Sequence, residues 1–322
     1  MQNPVTRISE ILRDQDDFLI VSHFNPDGDA IGSICAMGHL LAAMGKRFSL
    51  YNQSGLPSRY AFVNLPGPIE KQLPESMPKW TIIMDCGAGN RMGEALQART
   101  GETTVINIDH HLGNDNFGTE NWVDPSQPAV GSMVAELARK LHIPLTGDLA
   151  ECVYLAVSTD TGFFTYGNTT PESLELAADM LRNGLDIAHM NMVITKQWSE
   201  NRMRLWTEAM GNIELHHDKQ VASIAITQQM FSDTGTTPAD TENLINFLRR
   251  LKPVRVAAIL REEDTDLYKF SLRSYGEDNV QTIAATFGGG GHHNAAGGTI
   301  AAPLDEAKAM LISAIADALG IS

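Results

Sequence analysis

The stretch "SHFNPDGDAIGS", residues 22–33, places His23, Asp27 and Asp29 directly after the apolar run "FLIV". Two carboxylates flanking one glycine repel each other, and Pro26 and Gly28 leave little regular structure to hold them. The arrangement calls for a positive charge between the side chains. Further acids follow other apolar runs: Asp85 after "TIIM", Asp109 after "VINI" and Asp160 after "YLAVST", with His110 and His111 beside them. Carboxylates and imidazoles without thiols suit a borderline-to-hard divalent ion, Mn²⁺ before Mg²⁺ or Zn²⁺. One Asp at a strand end is ordinarily a turn residue or a helix cap, and an isolated "DHH" occurs by chance. The EF-hand pattern fails, because "NPDGD" sets its glycine between the acids and supplies no bidentate Glu after it. It is the combination of four such segments in one half of the chain that favours a metal site.

Those residues need a frame. "DFLIVSH", "TIIMDCG" and "TVINIDHH" read as strands followed by loops containing Gly or Asn. "AIGSICAMGHLLAAMG" has helical spacing and stops at Gly45. This strand–loop–helix rhythm predicts a parallel α/β sheet, whose strand C-terminal ends line the crevice where ligands bind. "GDLAECVYLAVSTDTG" reads as a helix in preference to a strand, with Asp148 as N-cap and its end near Ser158. Asp160 then reaches the crevice from a helix end. "TPESLELAADMLRNG" is a helix capped by Thr170, opened by Pro171 and closed by Gly184. "MNMVITKQWSENRMRLWTEAMGNIEL" reads as a connecting helical segment. From about residue 216, "HHDKQVASIAIT", "VRVAAILREED" and "LYKFSLRS" alternate like strands of a mixed sheet, and "PLDEAKAMLISAIADAL" is a closing helix. The expected organisation is a domain over 1–190, a helical linker over 191–215 and a second domain over 216–322.

The 322 residues suffice for two domains, and 43% hydrophobic with 20% charged residues is an ordinary globular composition. No apolar run approaches the ~20 residues of a membrane span, and "MQNPVTRISEILRDQDD" lacks a signal-peptide core, so a cytoplasmic protein is expected. Cys35, Cys86 and Cys152 form no CxxC pair, which argues for buried small hydrophobes over structural zinc or disulfides. A net charge of −15 disfavours wrapping of long nucleic acid. It leaves room for a small anionic substrate if ions in the site supply positive charge.

In the second half, "GGGGHHNAAGG", residues 288–298, taken alone is a glycine-rich turn or a backbone nest for an anion. Arg273 in "FSLRS", taken alone, is a solvated strand arginine. His216 and His217 fall in a hairpin turn and carry no assigned role. Arg91, shortly after Asp85, either meets a substrate or makes a structural salt bridge, and Asn25 could hydrogen-bond near the acids.

Together, "HFNPDGDAIGS", "MDCG", "IDHH" and "STDTGFF" resemble the successive motifs of the DHH phosphoesterase superfamily. "FSLRS" and "FGGGGHHNAAGG" resemble the DHHA1 substrate domain that accompanies it in one branch. The likeness spans nearly the full length, and in layout it is similar to the NrnA-like subfamily, cytoplasmic enzymes acting on very short RNA and on 3′-phosphoadenosine 5′-phosphate. The resemblance implies a two-domain α/β protein: an N-terminal parallel-sheet DHH domain, a smaller mixed-sheet DHHA1 domain, and an active site in the cleft between them. It also implies two divalent ions, Mn²⁺ foremost with Mg²⁺ or Co²⁺ as alternatives. His23 and Asp27 would hold one, and Asp29, His110 and Asp160 the other, with Asp85 bridging while Gly28 lets the turn present both of its neighbouring acids. Asp109 would orient a histidine.

By the same resemblance, a hydroxide held between the ions attacks phosphorus, and His111 contacts the scissile phosphate and assists the leaving oxygen. Arg273 would grip a terminal phosphate, with Gly289, Gly290, Gly291 and His292 beside it. The expected activity is hydrolysis of very short RNA to 5′-mononucleotides, with dephosphorylation of 3′-phosphoadenosine 5′-phosphate. The alternatives are a cyclic- or linear-dinucleotide phosphodiesterase and a catalytically silent nucleotide-binding regulator. An inorganic pyrophosphatase shares the metal motifs but has a different C-terminal domain. A homodimer contact through Trp198 and Trp206, expected to be exposed on the connecting helix, stays open.

Overall fold

The computed structural model describes residues 3–321, the His292 side chain excepted. These residues form two units, the first ending at Gln197 and the second beginning at Trp198. In the first, strands β1 (Phe18–Ser22), β2 (Phe48–Tyr51), β3 (Ile69–Glu70), β4 (Trp80–Met84), β5 (Thr104–Asp109) and β6 (Glu120–Val123) form one sheet. Its order is β3-β2-β1-β4-β5-β6, and every pair is parallel. The five residues of β1 and of β4 are all buried, the pattern of strands covered on both faces. The chain leaves β1 for β2 on one side and returns to β4 on the other. The loops after β1 and β4 therefore diverge and leave a crevice at the strand ends, where such sheets bind ligands.

The helices of this unit are α1 (Pro4–Asp14), α2 (Gly28–Ala43), α3 (Glu94–Gln97), α4 (Val130–Lys140), α5 (Gly147–Asp160), α6 (Pro171–Arg182) and α7 (Ile187–Thr195). Helices α2, α4 and α5 meet almost backbone to backbone. A methyl added at Gly32 would stand 2.6 Å from the Cys152 carbonyl oxygen, and one at Gly131 would stand 2.3 Å from Cβ of Ala156. Gly28 belongs to the same seam. It is the first residue of α2, not part of a turn, and a side chain there would run into Thr159 at 2.3 Å. Its smallness serves helix packing, which corrects the turn role expected for it.

Helix α5 differs from expectation at both ends. It begins at Gly147 after Thr146, with Asp148 in the first turn accepting a hydrogen bond from Asn64 Nδ2 at 2.8 Å. It then continues past the last apolar residue to Asp160, with the Thr159 hydroxyl bonding back to the Leu155 carbonyl at 2.8 Å. Helix α6 starts and stops as its capping residues require: Thr170 and Ser173 form a reciprocal cap, and Gly184 takes a positive φ of 97° just beyond the end.

The second unit comprises α8 (Glu200–Gly211), β7 (Glu214–His216), β8 (Val221–Ile226), α9 (Gln228–Thr234), α10 (Leu244–Leu248), β9 (Val256–Asp264), β10 (Leu267–Ser274), α11 (Val280–Thr286), β11 (Gly290–His292), β12 (Ala295–Ala301) and α12 (Leu304–Leu319). Its sheet, ordered β11-β12-β10-β9-β8-β7, is mixed, with β8 and β9 parallel and the other pairs antiparallel. Along β10, Tyr268, Phe270 and Leu272 enter the core, while Lys269, Ser271 and Arg273 take the opposite face. His216 ends β7, and His217 lies in the β7–β8 turn with a positive φ, as a hairpin requires.

The stretch expected as one connecting helix is two. α7 ends at Thr195, and α8 packs Leu205, Trp206 and Ala209 into a core shared with β8 and β9. Trp206 is 4% exposed and donates its indole N–H to the Asp240 carbonyl at 2.8 Å. It is therefore no exposed dimer contact: its ring lies against Trp198 and Phe247. Trp198 precedes α8 and is partly exposed. Among the described residues, no helix is long and apolar enough to cross a membrane.

In a helix interior Gly→Ala ordinarily adds up to ~1 kcal/mol of stability. At Gly32 the new methyl would strike backbone, so Gly32→Ala is expected to lower the unfolding free energy by about 1–3 kcal/mol. Gly211→Ala, where a methyl meets nothing within 4 Å, is expected to be neutral or stabilising. Urea denaturation followed by circular dichroism checks both, and a Gly32→Ala protein as stable as its parent would contradict the tight seam.

Candidate active site

The crevice at the ends of β1, β4 and β5 collects the acids and histidines singled out in the sequence. His23 follows β1; its Nδ1 bonds the Phe24 carbonyl at 2.8 Å, leaving Nε2 to face Asp27 at 3.8 Å and Asp85 Oδ2 at 3.6 Å. His110 follows β5; its Nδ1 bonds the Gln127 carbonyl at 3.1 Å, leaving Nε2 toward Asp29, Asp85 Oδ1 and Asp160 at 3.7, 3.7 and 3.8 Å. A ring whose Nδ1–H is fixed by a carbonyl offers Nε2 as an acceptor, the usual state of a metal-binding imidazole.

These separations are long for hydrogen bonds. They match two donors sharing one ion, since ligands ~2.2 Å from a centre and ~110–120° apart stand roughly 3.6–3.8 Å from each other. The donors form the groups His23–Asp27–Asp85 and Asp29–His110–Asp160, with a third, Asp85–His110–His111, joining them, each with its ligand atoms within 4.8 Å of one another. Asp85 turns one oxygen to each group, Oδ2 to His23 and Oδ1 to His110. It does so with a φ of 53°, a left-handed backbone that Asp tolerates better than most residues and that aims the carboxylate into the crevice.

Asp29 is 2% exposed and is held from three sides. It accepts from the Val130 N–H at 2.8 Å, the Gly131 N–H at 3.1 Å and the Ser33 hydroxyl at 2.7 Å. It thus caps α4, whose own N-cap, Ala129, has no side chain to do so. Asp160, at the end of α5, accepts from Asn168 Nδ2 at 3.3 Å. Burial, with Asp85 and Asp160 nearby, pushes the Asp29 carboxyl well above the ordinary range. Burial raises Asp160 to about 6, with His110 opposing and Asp85 reinforcing. His23 moves the other way: burial disfavours its charge, but Asp27 and Asp85 outweigh burial and raise it to about 10. A divalent ion would take the place of that proton, and the residues present fit such ions in donor type and spacing. Burial pushes the neighbouring Cys86 thiol up to about 12, and its Sγ bonds the Ala88 carbonyl at 3.2 Å.

His111 sits differently. Its Nδ1 donates to Asp109 at 2.8 Å, and the fully buried Asp109 also accepts from Asn114 Nδ2 at 2.6 Å. The bond to Asp109 raises the basicity of the ring and leaves Nε2 free for other work. Among the described residues Arg91 has no ion pair, so the structural salt bridge considered for it is not formed; its carbonyl accepts the Phe24 N–H at 2.9 Å. Asn25, also at a φ of 53°, is tied to Ser54 by bonds of 2.8 and 3.2 Å.

In the second unit Gly290 and Gly291 open strand β11, while Gly288 lies in the turn after α11. The Gly288 and Gly289 N–H groups are bonded to the carbonyls of Ala285 and Ala284, so they are not open to an anion. Gly289 and Gly291 are glycines because a methyl would stand 2.3 Å from the Gly297 carbonyl and 2.4 Å from that of Ala295. Gly290 faces open space. His292 pairs with Ala295, which pairs with Arg273, so their backbones share one rung across three strands. The side chain of His292 lies outside the described residues.

Reasoning from the sequence missed the Val130 and Gly131 amides, Asn114 and Asn168. Of the Asp29 partners only Ser33, one helical turn away, had a local signal.

Residues 17–157 match the model of the DHH family, N-terminal domain, and residues 218–320 that of the DHHA1 domain. A Thermus thermophilus protein named bifunctional oligoribonuclease and PAP phosphatase NrnA is 31% identical over 319 residues, covering 97% of this chain and 93% of its own length. A Bacillus subtilis protein of the same name is 25% identical over 290 residues, covering 88% and 90%. The crystal structure of an exopolyphosphatase-related protein from Bacteroides fragilis superposes with a TM-score of 0.88 at 27% identity, covering 98% of this chain and 96% of that one.

Without a cation, the raised carboxyls favour the protonated fold. That contribution is complete below the ordinary value of 3.8 and is lost as pH rises through about 6. Mn²⁺ added to chelator-treated protein at pH 8 is therefore expected to raise the thermal midpoint, by about 2.7 kcal/mol of stability at a hundredfold excess over its Kd. The gain should shrink as pH falls through about 6, and Asp85→Asn should remove most of it. A gain that ignores pH and this substitution would speak against a cation site.

Proposed function

Because the chain belongs to the DHH family and carries a DHHA1 domain, we propose that it is a metal-dependent phosphoesterase of very short RNA. It releases 5′-mononucleotides and also removes the 3′-phosphate of 3′-phosphoadenosine 5′-phosphate. Two relatives that align over most of their length carry names describing both activities. The observation that carries the reading is Asp85, whose two oxygens face two separate histidine–carboxylate groups.

His23 and Asp27 would hold one divalent ion and Asp29, His110 and Asp160 the other, with one Asp85 oxygen facing each group. Bound there, the pair, Mn²⁺ foremost, would supply positive charge to an anionic phosphoester and acidify a water into a nucleophile at neutral pH. The protein's own part is to hold these donors on buried elements, so that little reorganisation accompanies reaction. His111, its Nδ1–H fixed by Asp109, presents Nε2 to the scissile phosphate and carries a proton to the leaving oxygen. Arg273 and the strand around Gly290 bind the substrate's other phosphate, an anion suited to a planar guanidinium fork.

The test is turnover of a labelled RNA dinucleotide, 3′-phosphoadenosine 5′-phosphate, a cyclic dinucleotide and polyphosphate, each with Mn²⁺, Mg²⁺ and Co²⁺. The RNA dinucleotide and 3′-phosphoadenosine 5′-phosphate are expected to be hydrolysed, and Asp85→Asn to lower kcat by about 10²-fold or more, the scale of losing a main electrostatic stabiliser. Binding of these nucleotides without turnover would favour a silent regulator, and exclusive cleavage of polyphosphate would replace the substrate class.

A further inference from the structure

The chain leaves α5 through three consecutive left-handed residues, Gly162, Phe163 and Phe164, with φ of 56°, 55° and 62°. Glycine adopts this conformation freely, but two successive phenylalanines do so at a cost of the kind that collects at functional sites. The Phe163 N–H holds the turn by bonding the Ser158 carbonyl at 2.6 Å, and Phe164 packs against Tyr154. The effect is to fold the chain back over the end of α5. There the Tyr166 N–H bonds the Thr161 carbonyl at 2.9 Å. Asn168 Nδ2 ties the loop to Asp160 itself, reaching its backbone carbonyl at 3.1 Å and its carboxylate at 3.3 Å. Tyr166 is thereby set beside a proposed metal donor.

The Tyr166 ring lies over Gly162, where an added methyl would stand 2.4 Å from its Cε1 and Cζ. One side of the ring thus rests on backbone, yet the residue stays 60% exposed. A single exposed aromatic is ordinary on a protein surface. Among the described residues of the first unit, however, the exposed aromatic side chains are Tyr166 and Phe24, and both neighbour proposed donors, Asp160 and His23. Leu112, directly after His111, is exposed as well. The acidic crevice therefore has apolar neighbours that face water. A nucleotide whose phosphate sits in that crevice carries a flat base one sugar away. An exposed ring already fixed on one side suits such a base, because stacking then costs little side-chain freedom.

We propose that Tyr166 is a substrate-binding residue on whose ring the base of the nucleotide at the metal site stacks. This rests on the reading of the protein as a metal-dependent phosphoesterase of short nucleotides. It adds that the enzyme needs a base beside the scissile phosphate. Every base has a π-face, so the contact accepts any sequence, with purines favoured by their larger stacking surface.

The experiment measures kcat/KM for ApA and for two analogues in which the 5′ or the 3′ adenine is replaced by an abasic ribose. It uses the wild type, Tyr166→Ala and Tyr166→Phe. In the wild type, removal of one of the two bases is expected to lower kcat/KM about tenfold through KM, the scale of one base–aromatic stack. Tyr166→Ala should lower ApA by a similar factor while leaving that abasic analogue nearly unchanged, and Tyr166→Phe should keep ApA near the wild-type value. A Tyr166→Ala protein that keeps ApA within about twofold of wild type overturns the platform. So does one that loses the same factor on all three substrates, as a purely structural residue would. Calorimetry of AMP and of ribose 5-phosphate on Mn²⁺-treated protein reads the contact without turnover. AMP should bind about tenfold more tightly, and the difference should vanish in Tyr166→Ala; equal affinities in the wild type overturn the platform. If the wild type hydrolyses none of the dinucleotides, the phosphoesterase reading falls, while loss of the AMP preference in Tyr166→Ala still upholds the stacking contact.

Discussion

Carboxylates gathered in a partly buried crevice repel one another, and burial strengthens that repulsion because less water screens it. Asp29, Asp85 and Asp160 are held in this state, and burial, with the neighbouring carboxylates adding to it, raises the basicity of Asp29 and Asp160. Something must hold the groups together before any ion arrives. Part of the answer is hydrogen bonding, as the N-terminal amides of α4 and the Ser33 hydroxyl grip Asp29. Another part is backbone geometry, since Asp85 occupies a conformation that most residues avoid. The remainder is packing, because the seam of Gly28, Gly32 and Gly131 brings the ends of α2, α4 and α5 to one place. A site assembled against its own repulsion is preorganised for cations.

Topology explains why the crevice lies there. The strand order reverses between β1 and β4, and the loops leaving those strands carry His23, Asp27 and Asp85. β5, next in the sheet, delivers His110 and His111. The two rings follow one another in sequence yet have different partners, a backbone carbonyl for His110 and a buried carboxylate for His111. On the proposed reading, that difference in the atom bonded to Nδ1 separates a metal-binding role from a proton-carrying one.

The second unit shows the same principle with opposite sign. There, the Arg273 guanidinium bonds the Leu272 carbonyl and has no ion pair among the described residues. On the proposed reading both suit parts of one kind of molecule, a phosphorylated nucleotide accompanied by divalent metal. The acidic bulk of the chain, −15 overall, is compatible with this because recognition is local in each unit.

The strands, the helices with strong caps and the donor types were legible in the sequence, because alternation, helical spacing and capping are local properties of neighbouring residues. Apolar runs ending in Asp or His announced the crevice, and the order of motifs announced the family. Contacts between distant residues were not legible. Asp29 and the Val130 amide are 101 positions apart, and no local pattern joins them. Gly28 read as a turn residue because Pro26 and Asp27 precede it, whereas its role is set by Thr159 on another helix. Trp206 looked exposed on a polar helix until the core of the second unit covered it. Sequence alone settled which chemistry the side chains could do. Tertiary packing decided which of them meet, because close contact across a fold depends on the shapes of surfaces that no single segment contains.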